Sequence, residues 1–283
     1  MLLIVLAGSS YTVAARTAVA LPAQASGETD EPELLNIDPT NFDHSAVIDN
    51  DWMPLKPGTR LFYEGVDVDD NGDRIPHVVV VTVTDLTKVI DGVRTRITLE
   101  EDYSDEELVE QDAIFHAQDK DGNVWHLGEL VETYEEGSLV GGQVWLVGLT
   151  EGAHAGIEML AEPQVGDIYS QGYAPPPYYW TDRAEVYQTG QQTTVPAGSY
   201  EDVMVIAEWD RETEEGVFQD KYHARGVGVV RVGFRGPDPQ KEELELGGIE
   251  QLGEVELADV RTQVLQMEER AYAYGRTPPA EKG

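Results

Sequence analysis

At 283 residues the chain can form one large β domain or two small ones, and its 41% hydrophobic content supports a packed core, which excludes wholesale disorder. Fifty-four acidic against 19 basic residues give a formal charge of −35, which excludes nucleic acid and anionic membranes as partners. That charge suits a salt-rich setting, a cation-binding role or solubility alone, and the absence of cysteine excludes disulfides, thiolate metal sites and a cysteine nucleophile.

MLLIVLAG is an apolar run too short to span a bilayer, and Ala23-Gln24-Ala25 follows it as an A-x-A cleavage signature. Residues 1–25 therefore read as a clipped signal peptide. No Lys or Arg precedes the apolar run, so the start is truncated or the signal is weak. No other stretch reaches the ~18 apolar residues of a membrane helix. The expectation is a soluble, secreted or periplasmic protein without membrane insertion.

Residues 26–48 are acidic and proline-bearing, a linker or an arm across the domain. Residues 49–235 read as a β domain: β-branched and aromatic runs separated by turn signals every 8 to 14 residues. This spacing predicts a mainly β fold, an antiparallel meander forming a barrel or a strongly curved sheet. Residues 236–283 read as a last hairpin across Gly247-Gly248, an amphipathic helix and a frayed tail. Leu257, Val260, Val264, Met267 and Ala271 fall at helical spacing, so the helix should pack on the sheet or cover an open end.

Three places could carry chemistry. In FHAQDKDGNVWHLGE, Asp119-Lys120-Asp121-Gly122 suits a type I turn with Gly122 in a G1 bulge, which pairs His116 with His126 at about 5 Å between Cβ atoms. Alternation puts Phe115, Ala117, Trp125 and Leu127 on one face and His116, Gln118, Val124 and His126 on the other. With the apolar face as core, both imidazoles point away from it, toward solvent or into a polar lumen. A solvated histidine pair is the plain reading. A catalytic or metal role for His116, His126 and His223 needs a third group and shielding, with His154, Glu158 and His223 as candidates for it.

In DVDDNGD, Asp67, Asp69, Asn71 and Asp73 match the first half of a calcium loop, but Val78 stands where its bidentate Glu belongs. Asn71-Gly72 is equally a hairpin turn, so a plain turn and a weak calcium site both stand. No other cofactor is expected. PPPYYW (175–180) cannot pair inside a sheet. With Tyr173, its Tyr179 and Trp180 could stack on a ligand, beside Trp125 and Trp145, or simply fold over the core.

NDWMPLKPGTRLFYEG, AQDKDGNVWHLGE, AEPQVGDIY, VPAGSYEDVMVIAEW and KYHARGVGVVRV together resemble a family of exported, β-rich bacterial proteins of uncharacterised function. The resemblance covers roughly 49–235 and implies a fold rather than an activity. It also implies an aromatic residue where this chain has His116, His126 and His223. VPAGSYEDV and YHARGVG are similar to envelope proteins whose open, curved sheet accommodates apolar ligands. The leading expectation is a non-enzymatic protein binding a small apolar or aromatic ligand through Trp125, Trp145, Tyr173, Tyr179 and Trp180. The alternatives are a histidine-dependent lyase, isomerase or hydrolase, and a calcium-responsive acidic surface protein.

Overall fold

Two antiparallel meanders make one sheet. The first comprises β1 (Thr59–Val68), β2 (Arg74–Ile90), β3 (Val93–Ser104), β4 (Glu107–Gln118) and β5 (Val124–Glu135). The free edge of β5 takes both β6 (Ser138–Leu146) and β7 (His154–Met159). After the short β8 (Ile168–Ser170) and β9 (Gly172–Tyr173) comes the second meander: β10 (Arg183–Val195), β11 (Gly198–Trp209), β12 (Phe218–Ala224), β13 (Gly228–Arg235) and β14 (Glu243–Gln251). The last strand, β14, pairs with β1, and a two-residue β15 (Glu281–Lys282) adds to β2. The computed structural model describes residues 34–69, 71–210, 216–238, 241–271 and 280–282. The expected signal peptide lies outside them. The described residues form one compact unit.

The hydrogen-bonded path runs β8-β10-β11-β12-β13-β14-β1-β2-β3-β4-β5-β7-β9. Its two margins, β8 and β9, are separated in the chain by Gln171 alone. The sheet must therefore curl until its edges meet. No ladder joins β8 to β9 among the described residues, so the result is a strongly curved open sheet rather than a closed barrel. Packing agrees: Val83 of β2 and Val124 of β5 share one cluster with Tyr169, Val186, Met204 and Ile206 from the far half of the path. Strands so distant in the path touch only across a concave interior.

The convex face of the first meander is covered by α1 (Glu254–Ala271), whose buried residues include Leu257, Val260, Val264, Met267 and Ala271, the stripe read from the sequence. Burying each large member contributes about 1.5–3 kcal/mol. Arg270 grips the buried Glu132 of β5 at 2.6 and 2.8 Å, Arg261 reaches Asp85 at 2.6 Å, and Lys88 meets Glu268.

Gly247-Gly248 does not turn a hairpin. It lies within the single strand β14, where the register against β1 slips between Phe62 and Tyr63. A glycine pair serves a β-bulge as readily as a turn. The described part of the arm straps the β4–β5 turn: Lys120 donates its amide to Asn41 and Gln118 to Ser45.

Candidate functional site

The turn after β4 forms as its residues dictate. Gly122 has φ 93°, its amide reaches the Asp119 carbonyl at 3.1 Å, and Asp119 is bonded back to Asn123 at 3.0 Å. His116 pairs with His126 and Ala117 with Trp125, the register the turn chemistry predicts. The faces correct the simplest sequence reading, because both are buried. Phe115 lies with Lys88 toward α1, 5.6 Å from its ammonium, whereas His116 and His126 point into the concave interior. The polar side of the hairpin is thus the inside of the curl.

Register carries this pattern outward. Glu100 pairs with Asp112, Asp112 with Val131, and Ile114 with Glu129, so these carboxylates share the histidines' face. On the opposite wall Met204 and Ile206 belong to the interior cluster, and alternation places Glu208 beside them. Lys221 is paired with Ile206 and His223 with Met204, hence on that face too.

Two bulges aim the key side chains. Gly128, at φ 128°, interrupts β5 next to Glu129; a Cβ there would meet the Trp145 carbonyl at 2.2 Å. Against β5, Val124 pairs with Met159 and Trp125 with Ile157, which leaves Glu158 as the inserted residue of β7. Bulges redirect side chains in this way near functional sites.

The site has two halves. In the first, His126 packs edge-on against Trp145 at 5.0 Å and Trp180 at 5.1 Å, and the two indoles lie 5.6 Å apart. Trp145 donates Nε1–H to Glu129 Oε1 at 3.0 Å. His126 donates Nε2–H to the Gly128 carbonyl at 3.1 Å and lies 3.8 Å from Glu129 Oε2. Yet Trp180 Nε1, His116 Nδ1 and Glu129 Oε2 make no hydrogen bond although buried. In the second half, Gln171 donates Nε2 to Glu208 at 2.9 Å and to Glu158 at 3.5 Å, and Lys221 bridges to Glu208 at 2.5 Å. Glu158 Oε2 and Gln171 Oε1 are also unpartnered. Gln171 and Gly172 join the halves: Gly172 sits against both indoles, and the Gln171 backbone lies against His126.

Burial sets the protonation states. It lifts Glu129 to about 8 and Glu158 to about 7, the latter helped by nearby Glu208. Glu208 is pulled below its ordinary value because Lys221 outweighs its burial, and Lys221 is raised in return. Burial lowers His126 to about 3 and His223 to about 4, and His116 falls well below its usual range, so all three imidazoles are neutral at pH 7.

The other sequence-derived candidates are scattered. His223 bonds the Trp52 carbonyl at 3.3 Å, and the His154 and Tyr173 rings lie tilted to each other with centres 6.3 Å apart. Trp125 donates to Asp119 and packs edge-on against Phe42, and Tyr179 is exposed. An open cleft of about 500 Å³ is lined by Val144, Leu149, Thr150, Glu151, Pro175, Pro176 and Tyr178, without either indole. In the β1–β2 turn, Asp69 caps the amides of Asn71 and Asp73, while Asp67 accepts from Val68. No group of three or more acidic or histidine side chains among the described residues is placed to hold a metal ion.

Sequence reasoning named His116, His126, Trp145, Trp180 and Glu158 but missed Glu129, Gln171, Glu208 and Lys221. The signal was present: a lone carboxylate inside an apolar strand, as in LGELV or MVIAEW, is seldom buried without a reason.

No protein-family model matches the chain, and no curated protein does. Among solved structures, a predicted exported protein from Bacteroides fragilis with a YmcC-like fold matches at 12% identity and TM-score 0.41, covering 70% of this chain and 98% of that one. A predicted lipoprotein from Parabacteroides distasonis matches at 10% identity and TM-score 0.38, covering 71% and 99%.

Proposed function

We propose that this is an exported, non-enzymatic protein that binds a small molecule in the interior of its curled sheet, against Trp145 and Trp180. The observation that carries the reading is the pair of buried, unpartnered polar atoms beside those indoles, Trp180 Nε1 and Glu129 Oε2. A buried polar atom without a partner costs about 1–3 kcal/mol, which a ligand offering a complementary group recovers. Flat indole surface beside a few convergent polar groups is the usual composition of a ligand site. Export is supported by the apolar run and A-x-A signature at the start of the sequence.

A histidine-dependent enzyme has less support, since His223 lies against Trp52 and the imidazole pair is enclosed and neutral. A calcium-responsive surface has less still, because the Asp69 turn satisfies itself.

Thermal shift and tryptophan fluorescence against sugars, lipids, aromatic small molecules and hydrophobic dyes test the binding. At least one compound should raise the melting temperature, and Trp180→Ala should abolish its effect. Silence across the whole set would end the reading. Recovery of protein beginning at Ser26 from the periplasm or medium would establish export, and retention of residues 1–25 in the cytoplasm would refute it.

A further inference from the structure

Four of the interior's unpartnered atoms are carboxyl or amide oxygens, Glu129 Oε2, Glu158 Oε2, Asp112 Oδ1 and Gln171 Oε1, all in residues at most 7% exposed; the Tyr169 hydroxyl and ring nitrogens of His116 and His223 are unpartnered beside them. The four oxygens come from four separate segments, β4, β5, β7 and the β8–β9 link, so what satisfies them must present donors in several directions at once. Lys221 does this on one wall, where Glu208 takes it at 2.5 Å. Among the described residues, the side chains beside Glu129 are an indole N–H at 3.0 Å and a neutral imidazole at 3.8 Å.

The bulges sharpen the point. A protein with no use for these carboxylates could keep regular strands, and Glu158 would then not be the inserted residue facing Gln171. Trp145 and Trp180 supply what a carboxylate cluster lacks, two indole faces, and an indole face attracts a cation within about 6 Å of its centre.

We propose that the ligand is a small organic cation, a primary amine or guanidinium, with its charge between Glu129 and Glu158 and its carbon skeleton on Trp145 and Trp180. An ammonium offers three donors and a guanidinium five, and its positive charge between Glu129 and Glu158 draws both carboxyls back toward the ionised form that accepts those bonds. The inference rests on the binding role proposed above and narrows it to one chemical class.

Matched pairs of probes separate the two. Phenethylamine and putrescine are titrated by calorimetry and thermal shift beside 2-phenylethanol and 1,4-butanediol, which keep the skeleton and remove the charge. The amines should bind at least 10-fold more tightly than their alcohols. Glu158→Gln, close in shape and with its fold checked by circular dichroism, should weaken amine binding at least 10-fold and leave the alcohols unchanged. Glu129→Gln should do the same. The surface change Glu135→Gln with Glu136→Gln should have no effect, which separates the interior from general attraction to a chain of charge −35. If amine and alcohol bind alike, or Glu158→Gln and Glu129→Gln leave amine affinity intact, the cation assignment falls and the binding role stands. If amines bind but only the surface pair weakens them, the assignment also falls. If no compound of any class binds, both readings fall.

Discussion

Lys221 Nζ lies 2.5 Å from Glu208 Oε2 with both side chains less than a tenth exposed, an ion pair inside a curled sheet rather than on its surface. Removing one partner strands a buried charge, which costs about 3–5 kcal/mol. Lys221→Met should lower stability by that amount in denaturant titrations with an unchanged m value. Lys221→Met combined with Glu208→Leu should recover most of the loss. A double variant as unstable as the sum of the singles would show that the pair is not coupled.

Gly156 allows the sheet margins to meet. A Cβ there would stand 2.0 Å from the Gly172 nitrogen and 2.2 Å from the Gln171 carbonyl carbon, both backbone atoms that cannot step aside. Gly156→Ala should destabilise by about 3 kcal/mol or more. Gly233→Ala meets nothing within 4 Å and should be neutral or stabilising by up to about 1 kcal/mol. Equal melting temperatures for the two variants would contradict the close approach.

Stability should fall as pH rises from 6.5 to 9. Burial lifts Glu110 to about 9, Glu129 and Glu242 to about 8 and Glu158 to about 7. A carboxyl with a raised folded pKa holds its proton longer folded than unfolded. Its contribution is complete below about 4.5 and drains away as pH climbs through the folded value, at up to ~1.4 kcal/mol per pH unit per group. The buried imidazoles act in the other direction. His126 at about 3 and His223 at about 4 contribute stability that is whole above 6.5 and lost toward those values. Urea midpoints should therefore fall from pH 6.5 to 9, where the imidazoles contribute no further change, and Glu129→Gln should flatten that limb. A midpoint that rises from pH 7 to 9 would refute the assignment.

The helix supplies a matched pair. Met267 is fully buried, so Met267→Ala should cost about 2–5 kcal/mol. Leu265, two residues earlier, is 42% exposed, and its replacement by Ala should stay within about 0.5 kcal/mol. The ranking of their thermal midpoints checks which stripe faces the sheet.

Local chemistry was legible in the sequence where short-range rules act alone. Asp119 and Gly122 set the β4–β5 register, and the spacing of Leu257, Val260, Val264 and Met267 identified the buried helix face. What depends on the far side of the molecule was not legible. Phe115 and His116 alternate correctly, but which face is enclosed depends on where α1 lies and how far the sheet curls, and neither is written in the hairpin. Gly247-Gly248 carries the same letters for a turn and a bulge, and the partner strand β1 decides between them. Glu100, Glu129, Glu158 and Glu208 look like four more acids in an acidic chain; only pairing across the curl makes them neighbours.

Ser170, Gln171 and Gly172 fasten the two margins of the sheet by peptide bonds, not by a ladder. Severing the backbone at Gln171 would break no strand pairing, yet it would release the girth of the molecule. The wall that carries Glu158 and the wall that carries Glu208 are therefore joined by a covalent clasp one residue long.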